Sequence, residues 1–139
     1  MVEQAQGGRI INTSSTSGLI GNFGQANYGS AKAGIAGFSR VAAIEFAKHR
    51  ITVNTIVPVA KTRMTEDVAM VADDMLPEKV SPLVVFLASD LAKDVTGRIF
   101  SAHGDRIQEY RYQITKGARK SGSLWTAEEI AAQFDEITK

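Results

Sequence analysis

Ile51-Thr52-Val53-Asn54-Thr55-Ile56-Val57 is almost continuously apolar and β-branched, and Pro58 follows it directly. An uninterrupted run of this kind is typical of a strand covered on both faces in a parallel sheet, and Pro58 is predicted to end that strand. Before it, apolar residues recur at three- and four-residue steps from Tyr28 to Lys48, which predicts an amphipathic helix. A shorter β-branched run, residues 9–13, predicts a strand ahead of that helix. These segments form one strand–helix–strand unit.

The same alternation continues downstream. Ser81-Pro82 predicts a helix start, with the serine as N-cap and the proline in the first turn, and an apolar face continues to Asp90. Residues 98–102 predict a third strand, and residues 59–77 a loop without a long element. Alternating strands and helices indicate an α/β fold, with about three parallel strands, flanking helices and right-handed crossovers.

The two ends of the chain are less regular. Residues 104–125 are charged and are predicted to be irregular, and Thr126-Ala127-Glu128-Glu129 is a capping box that opens a last amphipathic helix.

The strand at residues 9–13 has the pattern of a strand buried on both faces. No element before it covers its free edge, so the pattern suggests that an upstream part of the sheet is missing.

Composition excludes several classes of function. The chain has 139 residues, with 16 lysines and arginines, 15 aspartates and glutamates, and a net charge of +1. This balance gives no support for a nucleic-acid or membrane-surface partner, and no apolar run reaches the ~18 residues of a membrane span. Met1-Val2-Glu3-Gln4 lacks the features of a secretory signal. Because there are no cysteines and the two histidines have no partner at ligand spacing, we predict a cytoplasmic protein without a metal.

Tyr28-Gly29-Ser30-Ala31-Lys32 opens the predicted long helix. A spacing of four residues places Tyr28 and Lys32 on one helix face, one turn apart. A phenol is a poor base near neutral pH, and a neighbouring ammonium group favours its ionised form by Coulomb attraction. Ser15 lies on the loop after the first strand, where its hydroxyl can hold a substrate oxygen while Tyr28 moves the proton.

Each of these residues also has a plain structural interpretation. Tyr-x-x-x-Lys occurs by chance in many helices, with the tyrosine half-buried and the lysine solvated. A serine in a Ser-rich loop is usually a turn or cap residue. The motif alone therefore leaves both interpretations open.

The wider context resembles the short-chain dehydrogenase/reductase family over about residues 3–104. Four segments carry the resemblance: residues 8–15 resemble the family's fifth strand and catalytic serine, residues 24–34 its active-site segment, residues 51–58 its sixth strand, and residues 86–90 with Thr96-Gly97 its last helix and strand. The resemblance implies the C-terminal half of a doubly wound, Rossmann-like parallel sheet. It also implies NAD or NADP as cofactor.

The resemblance also implies roles for individual residues, according to their positions in the family's motifs. It implies that Ser15, Tyr28 and Lys32 are catalytic, and that Lys32 also hydrogen-bonds the nicotinamide ribose. Most members have glycine after the proline that corresponds to Pro58, whereas Val59 stands here. Pro58 and Thr62 join Tyr28 and Lys32 as expected cofactor contacts, with Thr62 at the carboxamide or the pyrophosphate. The alternative for Thr62 is a simple turn residue.

The chain departs from the family by what it does not contain. The Thr-Gly-x-x-x-Gly-x-Gly loop, the residue that reads the adenosine ribose and the Asn-Asn-Ala-Gly segment, which lie upstream in the family, are not in this sequence. Residues 1–104 are accordingly predicted to be the C-terminal half of a dehydrogenase domain, and residues 105–139 a C-terminal extension with a terminal helix. We expect a truncated frame or fragment that is inactive alone and that does not itself encode NAD or NADP preference.

A narrower resemblance concerns the substrate. Residues 58–65, 76–85 and 125–130 are similar to (3R)-hydroxyacyl-CoA dehydrogenases of the multifunctional-enzyme type. This implies a small-molecule substrate, a 3-hydroxyacyl or 3-oxoacyl thioester, within the general class of secondary alcohols and ketones.

Two functions follow. The first is an NAD(P)-dependent oxidoreductase, and the second is a non-catalytic assembly module that forms a homo-oligomer or a swapped dimer through its free sheet edge and apolar faces. A strip of small residues on the long helix allows close packing, either inside the chain or at the dimer interface that the family places there: Gly29, Ser30, Ala33 and Gly37.

Overall fold

The computed structural model describes every residue from Met1 to Lys139. Its strands and helices are, in chain order, β1 (Gly8–Thr13), α1 (Thr16–Leu19), α2 (Ala26–Phe46), β2 (Ile51–Val59), α3 (Ser81–Ala88), β3 (Ile99–His103), β4 (Arg106–Tyr110), α4 (Ala127–Ala132) and α5 (Phe134–Thr138). Short 3-10 turns lie at Ala47–His49, Pro77–Lys79 and Asp90–Ala92.

The four strands form one sheet in the order β1-β2-β3-β4. β1 pairs parallel with β2, and β2 parallel with β3, so the predicted α/β fold with a parallel sheet is confirmed. α2 lies on one face, over Val53, Val57 and Ile99, and α3 on the other, over Ile56 and Ala102. All three parallel strands therefore end at the same edge of the sheet.

The fourth strand corrects the sequence analysis. β4 pairs antiparallel with β3 within the segment 104–125 that was predicted to be irregular. The two strands are joined by Gly104-Asp105, and Gly104 has a positive φ of 52° that suits a tight hairpin. The sheet thus continues to Tyr110, whereas the division of the chain at residue 104 stays a prediction.

β2 is the centre of the sheet, as its apolar run predicts, because every residue from Ile51 to Val57 is buried. Pro58 does not end the strand as expected but lies within it and pairs with Ala102 of β3. It does end the pairing with β1. The Ser14 N–H donates to the Ile56 carbonyl at 2.8 Å, and the next bond of that ladder would need an N–H that proline lacks. β1 is therefore free to turn away after Ser14.

Two smaller expectations also change. Ser81 is the first residue of α3 rather than its N-cap, and Val80 precedes it without a side-chain cap. β1 is partly exposed rather than buried on both faces, because it is the outer strand of the sheet. The predicted capping box at the start of α4 is confirmed, with Thr126 and Glu129 bonded in both directions.

Candidate active site

The two serines at the end of β1 have different surroundings. Ser14 is 3% exposed, and its hydroxyl donates to the backbone carbonyl of Lys32 at 2.7 Å. Ser15 is the N-cap of α1, where its hydroxyl oxygen accepts the Ser17 N–H at 3.2 Å. A cap uses one lone pair of that oxygen. Ser15 therefore keeps its hydroxyl proton and a second lone pair for another partner.

Tyr28 and Lys32 lie in the first two turns of α2, on one face. The Lys32 ammonium is 5.6 Å from the centroid of the Tyr28 ring. The same ammonium donates to the Thr13 carbonyl at 3.1 Å, at the free edge of β1. Tyr28 is 44% exposed, so a ligand can reach it. The predicted one-turn spacing thus places a phenol and an ammonium side by side beside the end of β1.

The approach of α1 to α2 fixes this arrangement. A side-chain carbon at Gly18 would lie 2.6 Å from the backbone of both Lys32 and Ala33, and one at Gly29 would lie 2.9 Å from the Ser17 carbonyl. Only glycine permits these contacts between backbones. The strip of small residues on α2 is therefore used in part for packing inside the chain, at Gly29.

Pro58 and Thr62 lie at the end of β2 and just beyond it. Thr65 organises the loop, because its hydroxyl donates to the Ala60 carbonyl at 2.7 Å and accepts the Thr62 N–H at 2.8 Å. The Thr65 hydroxyl has a single proton, and that proton goes to the Ala60 carbonyl. Thr62 is therefore the donor in the 3.2 Å hydrogen bond between the two threonine hydroxyls. The exposed Thr62 oxygen is thus left as an acceptor.

The structure places Tyr28 and Lys32 side by side against the end of β1, with Ser15 two residues beyond that strand. Pro58 and Thr62 come to the same sheet edge, at the end of the neighbouring strand and in the loop after it. Sequence reasoning missed Ser14 and Gly18 as the residues that hold α2 against this edge. Strand alternation could have identified Ser14, since neighbouring residues of a strand point to opposite faces. No sequence signal identifies the partner of Gly18.

A cluster of charged side chains in the loop after β2 lies away from these residues. A hydrogen bond and charge attraction from Asp105, with a further attraction from Asp74, raise the pKa of Lys79. The Lys79 ammonium is 2.7 Å from the Asp105 carboxylate, which ties the loop after β2 to the β3–β4 turn.

No group of three acidic, histidine or cysteine side chains is placed to hold a metal ion. Neither the 21-residue α2 nor any other helix combines the length and apolarity needed to cross a bilayer.

Comparison with known proteins gives consistent results. The family described as short chain dehydrogenase matches residues 1–94. The chain is 41% identical over 135 residues to the peroxisomal hydratase-dehydrogenase-epimerase of Saccharomyces cerevisiae, covering 94% of this chain and 15% of that protein. It is 42% identical over 108 residues to the hydroxyacyl-CoA dehydrogenase ChsB1 of Mycobacterium tuberculosis, covering 72% and 34%.

A solved structure extends the likeness to three dimensions. The full-length peroxisomal multifunctional enzyme type 2 from Drosophila melanogaster matches with a TM-score of 0.84 and 29% identity, over 100% of this chain and 26% of that one. The chain thus spans about a third or less of each of these three relatives. On the family match and on the shared fold, the chain belongs to the short-chain dehydrogenase/reductase family and is close to its multifunctional-enzyme type 2 members.

Proposed function

We propose that this chain carries the proton-transfer residues of an NAD(P)-dependent oxidoreductase that interconverts a secondary alcohol and a ketone. When bound, the nicotinamide accepts or supplies the hydride. Tyr28 takes the hydroxyl proton in the oxidation direction and returns it in reduction. Ser15 holds the reacting oxygen, and Lys32 favours the phenolate by its positive charge.

One observation carries this proposal. The Lys32 ammonium lies 5.6 Å from the Tyr28 ring on the same helix face, while two hydrogen bonds from the end of β1 hold the backbone and the ammonium of Lys32. A general acid–base pair needs its members in fixed positions. Ser15 is the next residue after Ser14, which makes one of those bonds. The Ser15 hydroxyl is itself held in place as the N-cap of α1.

The donors and acceptors fit the nicotinamide end of a dinucleotide. An ammonium has three N–H donors, and the Thr13 carbonyl uses one, which leaves two for ribose hydroxyls. With the Thr65 proton on the Ala60 carbonyl, the Thr62 hydroxyl donates to Thr65 and offers its oxygen as an acceptor. An acceptor suits the NH₂ of the carboxamide and does not suit a pyrophosphate. We therefore place Thr62 at the carboxamide and Pro58 at the nicotinamide ring.

We further propose a 3-hydroxyacyl or 3-oxoacyl thioester as the substrate. The support is the resemblance in the loop after Pro58, together with a relative whose name states that it is a hydroxyacyl-CoA dehydrogenase. The 139 residues contain no glycine-rich loop for the pyrophosphate. By themselves they are expected to bind dinucleotide weakly and to show no turnover. The absence of cysteine suits a reducing, cytoplasmic setting, although related proteins bear peroxisomal names.

A chimera tests the chemistry. The N-terminal, dinucleotide-binding part of the M. tuberculosis hydroxyacyl-CoA dehydrogenase is joined to residues 1–139 at the position where the two sequences align. NADH formation is then followed with a 3-hydroxyacyl-CoA. Tyr28→Phe is expected to lower kcat about 10²- to 10⁴-fold, the usual contribution of general acid–base catalysis. Tyr112→Phe, which changes another exposed tyrosine, is the matched control. Retained activity in Tyr28→Phe would remove the basis of the proposal.

The second candidate function, an assembly module, is favoured by a different observation. β1 presents a free edge, and the outer face of α2 exposes Phe38, Val41 and Ile44, the last at 80%. Light scattering on the purified chain decides this point. A dimer that Ile44→Glu dissociates supports assembly through α2, and a folded monomer at high concentration counts against it. Saturable NADH binding by the same chain would favour the enzyme instead.

A further inference from the structure

A polar groove lies on the α2 side of the sheet, away from the predicted site. It has a volume of about 590 Å³ and lies between α2, the start of β3 and the end of β4. Its charged lining consists of three arginines and one glutamate: Arg40, Arg98, Arg111 and Glu109. Pockets of this size are typical of small-molecule sites.

Only one of the three arginines is without a carboxylate. Arg98 approaches Glu109 at 3.3 Å, and Arg111 donates to the other oxygen of the same carboxylate at 2.6 Å. Arg40 makes no ion pair and no hydrogen bond to an acidic side chain. Since one carboxylate faces three guanidinium groups, the groove has an excess of positive charge centred on Arg40.

The Arg40 side chain is held in place and partly dehydrated. Its guanidinium stacks on the Tyr112 ring, 4.4 Å from the centroid. Its Nη1 atom is buried and has no hydrogen-bond partner. A buried, unpartnered donor on a charged group is costly, and a planar guanidinium fixed by stacking is well suited to bind an oxyanion through two parallel bonds.

We propose that this groove binds the oxyanion of a small phosphorylated ligand, with Arg40 as its main contact and Arg98 and Arg111 adding positive potential. The site is separate from Tyr28 and Lys32, because Arg40 comes eight residues after Lys32, roughly 12 Å further along α2. The proposal therefore does not depend on the proposed oxidoreductase activity. A carboxylate from a second copy of the chain is the competing occupant.

Titration of the 139-residue chain with inorganic pyrophosphate tests the site. The side-chain Nε–H signal of Arg40 is followed by NMR at constant ionic strength, with sodium chloride as the screening control. A saturable shift is expected, with a dissociation constant that Arg40→Gln raises at least tenfold. Arg40→Lys, which keeps the charge but loses the planar fork, is expected to bind between the two. Arg106→Gln, an exposed arginine of β4 outside the groove, is expected to change the constant less than twofold.

Three results would overturn the proposal. One is a shift of Arg40 that does not saturate or that sodium chloride reproduces. Another is equal weakening by Arg40→Gln and Arg106→Gln, which shows general charge attraction. The third is a dimer that Arg40→Gln dissociates while wild-type protein ignores pyrophosphate, which assigns the guanidinium to a carboxylate of a second copy. Circular dichroism of each variant checks that the fold is retained.

Discussion

Residues 51–57 of β2 are all buried, whereas neither α4 nor α5 contains a single buried residue. The central strand is held by two parallel ladders and by packing on both faces. The part of the C-terminal extension that follows β4 is held by polar contacts instead, such as the bond from the Thr115 hydroxyl to the Ile137 carbonyl at 2.6 Å. Precise placement of the Tyr28–Lys32 pair belongs to the first region, because β1 and α2 both pack on β2.

The largest expected effect on stability comes from making the same substitution, isoleucine to alanine, once in each region. Ile51 is 2% exposed and packs against Ala42, Ala43 and Val53, whereas Ile114 in the extension is 95% exposed. Ile51→Ala leaves a cavity and is expected to lower the free energy of unfolding by about 2–5 kcal/mol. Ile114→Ala is expected to change it by less than about 0.5 kcal/mol. Urea denaturation measures both, and equal losses would contradict the division into two regions.

The next effect tests how closely α1 approaches α2. Gly18→Ala would place a carbon 2.6 Å from two backbone atoms of α2, which cannot rotate away. We expect a loss of about 1–3 kcal/mol. Gly34→Ala is the matched control, since it lies in α2 with open space around it, and there alanine is expected to stabilise the helix by about 0.5–1 kcal/mol. Opposite signs in denaturation confirm the contact. A stabilising effect of both substitutions would show that α1 is not fixed against α2.

The difference between the regions also explains what the sequence predicts. The strand–helix–strand unit can be predicted from the sequence because burial requires apolar residues in a regular pattern. In β2, which is buried on both faces, the apolar run is continuous, and in α2 apolar residues recur with the helical period. The Tyr28–Lys32 pairing follows from helix geometry alone. β4 is not visible, because Arg106-Ile107-Gln108 is exposed at a sheet edge and carries no apolar pattern.

Contacts between elements are the other part that the sequence does not reveal. Ser14 and Ser15 are chemically identical neighbours, yet one is buried on α2 and the other caps α1. Their roles depend on where Pro58 ends the pairing of β1 with β2. That position is set by the register between the two strands, which only the folded structure shows. The Arg40 groove likewise joins α2 to a strand about 70 residues later in the chain.

A smaller effect tests the bond that holds Lys32. Ser14→Ala removes the 2.7 Å bond to the Lys32 carbonyl. Ser39→Ala, two turns further along α2, removes a 2.8 Å bond to the Ile35 carbonyl and the 2.9 Å bond that the Asn12 amide of β1 donates to the Ser39 hydroxyl. Both serines are buried, so Ser14→Ala is expected to lose about 1 kcal/mol of unfolding free energy and Ser39→Ala about 1–2 kcal/mol. Only Ser14→Ala is expected to weaken the NMR cross-relaxation between the Tyr28 ring and the Lys32 side chain. If Ser39→Ala weakens it equally, Ser14 has no special role at the site.

The smallest effect is confined to the extension and depends on pH. Hydrogen bonds from the Lys120 ammonium and from the Thr126 N–H lower the pKa of Glu129 below its usual 4.5. A carboxyl group with a lowered pKa stabilises the folded state above the usual value, and that contribution is lost as the pH falls through the lowered value. Lys120 also lies 5.9 Å from the ring of Trp125, the single tryptophan, so its fluorescence reports the loss.

Acidification below pH 4.5 is therefore expected to change Trp125 fluorescence before the sheet unfolds. Glu129→Gln is expected to show the acid signal already at neutral pH, because it removes the negative partner of Lys120. Glu136→Gln, an exposed glutamate of α5 without an ion pair, is the matched control and should titrate like the wild type. If Glu129→Gln also shifted the urea midpoint of the sheet, the extension and the core would form one cooperative unit. The two regions would then differ in their contacts but not in their stability.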